Sequence, residues 1–142
     1  MPTPLRTAPR VVFVCTHNSA RSHLAAALWK RHSTILTASA GTDPARRVHP
    51  RAVQAARKHG LSLASARIAH IDETLRPDDL VVAVCDNAHE QLGPQAADRL
   101  HWSVPDPTRT GTDDAFADAL SDLADRVDRL APAVRPPGGS DG

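Results

Sequence analysis

Val11-Val12-Phe13-Val14-Cys15-Thr16-His17-Asn18-Ser19-Ala20-Arg21-Ser22 opens as an unbroken β-branched and aromatic run and turns polar at a cysteine. A strand with no alternation of apolar and polar residues is one buried on both faces, as in a parallel sheet. From Ser22 the apolar residues Leu24, Ala25, Leu28 and Trp29 recur at helical spacing to about His32. The segment from Cys15 to Ser22 is therefore predicted to be a loop between a strand end and a helix N-terminus.

The rest of the chain repeats this alternation. A short strand is expected at 34–38, then a loop Ser39-Ala40-Gly41-Thr42-Asp43-Pro44, then an Ala-rich helix at 49–59 with Pro50 in its first turn and Gly60 closing it. Leu80-Val81-Val82-Ala83-Val84 is a second continuous apolar run and, like the first, ends at a cysteine, Cys85. His101-Trp102-Ser103-Val104 reads as the last strand, and residues 113 to 130 as a long helix with Phe116, Leu120, Leu123, Val127 and Leu130 on one stripe. Strands alternating with helices indicate the α/β class with a parallel sheet. The expectation is a single domain over 1–142, with a core at about 10–131 and with proline- and glycine-bearing ends, 1–9 and 132–142, that fray.

Composition narrows the function classes. The 142 residues are 41% hydrophobic and 23% charged, enough to bury a core. Lys and Arg number 17 against 16 Asp and Glu, so the field needed to hold nucleic acid is missing. No apolar stretch approaches the roughly 18 residues of a membrane span, and Met1-Pro2-Thr3-Pro4-Leu5-Arg6 lacks the apolar region of a secretory signal. These features predict a cytoplasmic protein with no nucleic-acid or membrane partner. Two cysteines are too few for a disulfide scaffold or a structural zinc site, and the histidines show no ligand spacing, so no metal is expected.

The loop carries the chemistry. A strand-to-helix turn aims backbone N–H groups into one concavity, and the helix dipole adds positive potential there, so the loop suits a tetrahedral oxyanion. Arg21 would clamp two of its oxygens through a planar fork. The same donors are expected to lower the pKa of Cys15 and hold it as a thiolate nucleophile beneath the bound anion. Ser22 is placed to donate to that sulfur, Asn18 is a residue type that tolerates a left-handed turn, and His17, if protonated, would add charge. Further on, Pro105-Asp106-Pro107 holds a carboxyl rigidly, which makes Asp106 the best candidate proton donor to a leaving oxygen.

With these residues in view, the chain resembles the low-molecular-weight protein tyrosine phosphatase and arsenate reductase superfamily from Val11 to about Leu130. The resemblance rests on Val12 to Ser22, on Ser39-Ala40-Gly41-Thr42, on Cys85-Asp86 and on Pro105-Asp106-Pro107. It implies a four-stranded parallel sheet in strand order 2-1-3-4 with helices on both faces. It also implies Cys15 as nucleophile, Arg21 as oxyanion clamp, Asp106 as general acid, and Asn18, Ser22 and Ser39 as residues that shape the loop of Thr16, His17, Asn18, Ser19, Ala20, Arg21 and Ser22.

Departures from the family pattern favour its arsenate reductase branch. Phosphatases of this type usually have a second cysteine where Ala20 stands, and aromatic residues where this chain has Thr108-Arg109-Thr110-Gly111; the chain has no Tyr at all. Arsenate reductases commonly carry a cysteine after the third strand, as Cys85 does. In the implied order Cys15 and Cys85 end neighbouring strands, so Cys85 could attack an arsenic adduct on Cys15 and leave a disulfide for a redox partner. The thioredoxin-coupled subgroup has a further cysteine where Leu92 stands, which excludes a three-cysteine relay. The expected reaction is arsenate to arsenite, with no bound cofactor and an external thiol reductant: thioredoxin, glutaredoxin or mycothiol. Two alternatives stay open: a tyrosine phosphatase acting on a phosphotyrosine protein or aryl phosphate through a phosphocysteine, and a phosphate-binding module without catalysis.

Overall fold

The computed structural model of the chain describes residues 5–96 and 98–138. In chain order the elements are β1 (Arg6–Thr7), β2 (Arg10–Cys15), α1 (Arg21–His32), β3 (Leu36–Gly41), α2 (Pro50–Lys58), α3 (Ile71–Thr74), β4 (Leu80–Ala83), α4 (Asp86–Leu92), β5 (Arg99–His101) and α5 (Asp113–Leu130). A 3-10 turn, Ala131–Ala133, leads into β6 (Val134–Arg135).

β2, β3, β4 and β5 form one parallel sheet in the order β3-β2-β4-β5. Counted among themselves, these strands stand in the expected order 2-1-3-4. All six residues of β2 and all four of β4 are buried, as the apolar runs from Val11 and from Leu80 require, with Arg10 the one charged residue among them. Helices flank the sheet. From α1, Leu24 and Trp29 are fully buried, and α5 buries Phe116, Leu120, Leu123 and Val127, the stripe read from the sequence. Phe13 of β2 lies 6.0 Å from the ring of Trp29 and 5.9 Å from that of Trp102, tilted against both.

Some boundaries differ from the sequence expectation. β3 starts later than residue 34 and runs on through Ser39, Ala40 and Gly41, because Cys15 pairs in register with Gly41. β5 ends at His101, yet the amides of Trp102 and Val104 still bond the carbonyls of Ala83 and Val84. Where fraying ends were expected, β1 and β6 pair in parallel, Ala8 donates to the Arg135 carbonyl, and Ala8, Ala133 and Val134 are buried. Main-chain bonds make that pairing, and two-residue strands leave no periodic trace in sequence. Residues 1–4 and 139–142 of the predicted ends lie outside the described residues. Gly60, at φ 73°, closes α2 as expected, with Leu61 donating back to the Ala56 carbonyl.

A buried ion pair sets how β2 meets β4. Arg10 donates from Nε to Asp79 Oδ1 at 2.9 Å and from Nη2 to Oδ2 at 2.7 Å, and Oδ2 also accepts the Arg76 amide at 2.7 Å. The pair sits one residue before Val11 and Leu80, which are partners in the sheet. Taking away one member of such a pair strands a buried charge. Asp79→Ala should therefore lower unfolding free energy by about 3–5 kcal/mol in chemical denaturation; a loss below about 1 kcal/mol would show that the pair does not hold the strands together.

Candidate active site

The loop after β2 is held by its carbonyls. The oxygens of Cys15, Thr16, His17 and Ser19 accept the amides of Thr42, Asp43, Ala45 and His49, at 3.2, 2.8, 2.8 and 2.8 Å. With these carbonyls satisfied by the segment that follows β3, the loop's N–H groups are left to its other side, where that of Asn18 meets the Cys15 sulfur. That arrangement needs close approach at Gly41: a Cβ there would stand 2.7 Å from the Thr16 carbonyl oxygen and 2.9 Å from Asn18 Cβ. Asn18 adopts φ 53°, the left-handed turn expected of it. Its Oδ1 accepts the Ala69 amide at 2.9 Å and its Nδ2 donates to Ser22 Oγ at 2.7 Å, so the strained residue is pinned from both ends of its amide.

The helix end is left available to an anion. Ala20, the residue just before α1, has no side chain to cap the first-turn amides, and the first turn carries no carboxylate. Cys15 Sγ lies beneath this turn, where it accepts the Asn18 amide at 3.2 Å and, as a thiol, donates to Ser22 Oγ at 3.1 Å. Burial, the largest influence on the sulfur, pushes the Cys15 thiol above its ordinary value. The Ser22 hydroxyl and amide, the Arg21 guanidinium and the Asn18 amide pull the other way without overcoming it. The sequence displays the donors that favour a thiolate, whereas the complete burial that opposes it comes from packing distant elements over the loop.

Arg21 is buried, with Nη1 donating to the Val104 carbonyl at 2.7 Å and Nη2 3.8 Å from Asp106 Oδ2. Asp106 accepts on Oδ1 both the amide and the hydroxyl of Thr108, at 2.9 and 2.7 Å. Partial burial works to raise the Asp106 pKa, but Thr108, Arg21 and His17 outweigh it and hold the carboxyl below its ordinary range. His17 itself is tied through Nδ1 to the Asp43 carbonyl at 2.9 Å. Thr16, Arg21, Cys85, Asp106 and Arg109 all line one cleft of about 580 Å³.

Cys85 lies within that cleft's wall. Val84 donates to the Val14 carbonyl, and continuing the register sets Cys85 beside Thr16, whose hydroxyl is 3.5 Å from its sulfur. The Cys85 sulfur also accepts the Ala88 amide at 3.4 Å, and Asn87 Nδ2 donates to Thr16 Oγ1 at 2.9 Å. Both cysteines are free thiols. Ser39, expected to shape the loop, bonds His23 Nδ1 at 3.0 Å on α1. Sequence reasoning missed His23, Ala69, Thr108 and the amides of 42–49. Of these, only Thr108, two residues after an aspartate, carries a local signal, that of an Asx-type turn.

Among the described residues no group of three or more His, Cys, Asp or Glu is placed to hold a metal ion, and no helix is long and apolar enough to cross a membrane. The thiol's environment gives a direct test. The pH midpoint for alkylation of Cys15 by iodoacetamide should lie above that of a free cysteine, and Ser22→Ala, by deleting a hydroxyl that favours the anion, should move it to higher pH still. A midpoint lowered in either protein would contradict the balance derived above.

Comparison with known proteins places these features. The family model described as low molecular weight phosphotyrosine protein phosphatase matches residues 10–137. An arsenate reductase of Bacillus licheniformis is 32% identical over 131 residues, covering 85% of this chain and 94% of the relative. Among solved structures, an arsenate reductase of Archaeoglobus fulgidus is 29% identical with a TM-score of 0.75, covering 86% of this chain and 98% of the other. The tyrosine phosphatase Wzb of Escherichia coli K30, solved with sulphate, is 24% identical with a TM-score of 0.81, covering 88% and 97%.

Proposed function

This chain belongs to the low molecular weight phosphotyrosine protein phosphatase family, and within that family we propose that it reduces arsenate to arsenite. The observation that carries the reading is a second thiol, Cys85, lining the same cleft as Arg21 and Asp106, on walls that include no Phe or Trp to sandwich a phosphotyrosine ring. Curated relatives named arsenate reductase support the same choice.

Chemistry follows from the groups around the cleft. The N–H groups of the loop and the fork of Arg21 bind the oxyanion over Cys15. The sulfur forms a bond to arsenic as one arsenic–oxygen bond breaks, and the oxygen leaves as water after receiving a proton from Asp106. In the second half a thiolate attacks the sulfur of Cys15. A sulfur–sulfur bond forms, the sulfur–arsenic bond breaks, and its electron pair stays on arsenic, which departs as arsenite. Cys85 is the internal candidate for that thiolate. Leu92, fully buried where a further cysteine would stand, offers no second relay. The disulfide is then returned to two thiols by thioredoxin, glutaredoxin or mycothiol, reductants that suit a cytoplasmic setting.

The proton arithmetic reconciles a buried thiol with a nucleophile. Asp106 titrates below its ordinary value and Cys15 above. Between those limits the pair holds one proton, and moving it from sulfur to carboxyl yields both the nucleophile and the acid. Corrected for ionisation of the substrate, kcat/KM should be flat across the neutral range. It should fall at acid pH as Asp106 gains a proton and at alkaline pH as Cys15 loses one. Thr108→Ala, by removing a donor to the carboxylate, should bring the acid limb to higher pH; an unchanged limb would remove Asp106 from this role.

Assays with arsenate and each reductant in turn, run beside an aryl phosphate, test the reaction itself. Arsenite should form with at least one reductant, Cys15→Ser should abolish it, and Asp106→Asn should lower kcat by about 10²–10⁴-fold. Cys85→Ser should stall turnover with the oxyanion still bound. Rapid ester hydrolysis with no arsenite under any reductant would assign the chain to the phosphatase reaction, in which water rather than a thiol resolves the adduct on Cys15.

A further inference from the structure

A second cavity, of about 520 Å³, shares no lining residue with the cleft. It lies between α1, β3 and the segment 60–69, and its volume is that of an ordinary small-molecule site, which run to roughly 300–1,000 Å³. Its charge is one-sided. Lys30, Arg31 and Arg67 stand on it, and among the described residues no Asp or Glu lines it. Arg31 is fixed in place, Nη2 donating to the His59 carbonyl at 2.9 Å. Ser62 and Ser65 stand on the same lining, with Ala27, Leu61 and Leu63 as its apolar part, while the Thr37 hydroxyl is spent on the Val11 carbonyl at 2.8 Å.

One lining residue carries a partly met requirement. His23 is only 2% exposed and its Nδ1 is engaged by Ser39, while its buried Nε2 has no well-formed hydrogen bond and the ring is held by a looser one to the Asn18 backbone. Buried ring nitrogens in folded proteins are normally satisfied, and a polar ligand atom is one way to satisfy them. Another lining residue, Ala69, reaches the catalytic loop directly: its amide donates to Asn18 Oδ1 at 2.9 Å and its carbonyl accepts the Gly41 amide at 2.9 Å.

We propose that this cavity is a second ligand site, built for a small phosphorylated polyol of the sugar monophosphate class, and that its occupancy alters the oxyanion loop. The cations select the phosphate, the hydroxyls match a polyol, and the small apolar area excludes a lipid chain. A ligand that bonds His23 or shifts Ala69 moves the groups that pin Asn18 and Gly41, so it should change turnover without entering the cleft.

Ribose 5-phosphate is the probe, with ribose and inorganic phosphate as separate arms, titrated calorimetrically and by ¹H–¹⁵N spectra into the full chain. Ribose 5-phosphate should bind saturably, with shifts at His23, Ser39 and Ala69. Lys30→Glu and Arg67→Glu, both on exposed residues outside the cleft, should weaken that binding by about tenfold or more while leaving basal activity unchanged. In initial-rate assays the sugar phosphate should change kcat rather than act as a competitor. The proposal is overturned by shifts confined to Thr16 through Ser22, by competitive kinetics alone, by equal binding of ribose, by inorganic phosphate reproducing the shifts at His23, Ser39 and Ala69, or by charge-reversed variants that bind as the parent does. The binding arms decide the matter whichever oxyanion the enzyme turns over.

Discussion

The direction in which the carbonyls of the loop point governs everything else in this molecule. Cys15, Thr16, His17 and Ser19 each give their carbonyl oxygen to an amide of the segment that follows β3. A backbone fixed on one side by its acceptors has its donors committed to the other, and this is how a neutral stretch of main chain becomes an anion receptor. Gly41 allows the two segments to approach, and the left-handed Asn18 turns the corner. Neither position contributes chemistry, yet the sulfur, the guanidinium and the carboxyl would not converge without them.

The groups that do contribute chemistry restrain one another. Arg21 spans from α1 to the Val104 carbonyl and comes within 3.8 Å of Asp106, so one side chain bridges the loop and the segment carrying the acid. Thr108, with Arg21 and His17, outweighs partial burial and holds that acid's pKa down, while burial pushes the Cys15 thiol up. In the proposed mechanism the two opposed shifts are resolved by moving a proton from sulfur to carboxyl across the substrate.

What the sequence disclosed was local. An unbroken apolar run gave β2 and β4, a stripe gave α5, and residue chemistry singled out Cys15, Arg21 and Asp106 and foresaw the backbone of Asn18. Strand order came from resemblance, since parallel neighbours are distant in sequence and leave no short-range mark. The pairing of β1 with β6, the extension of β3 to Gly41 and the contact of Cys85 with Thr16 depend on register, which is fixed only when the sheet assembles. The same holds for the burial that raises Cys15 and for the partnership of Ser39 with His23.

In the proposed reaction the anion is gripped by main chain, so the side chains at Thr16, His17 and Ser19 are largely released from the task of holding it. Such a loop can accept new residues there without forfeiting its basic craft, while the walls of the cleft drift toward different guests. Evolvability here is a property of peptide geometry: a scaffold of this design can wander between an arsenic oxyanion and a phosphate ester by changing its surroundings and leaving its grip alone.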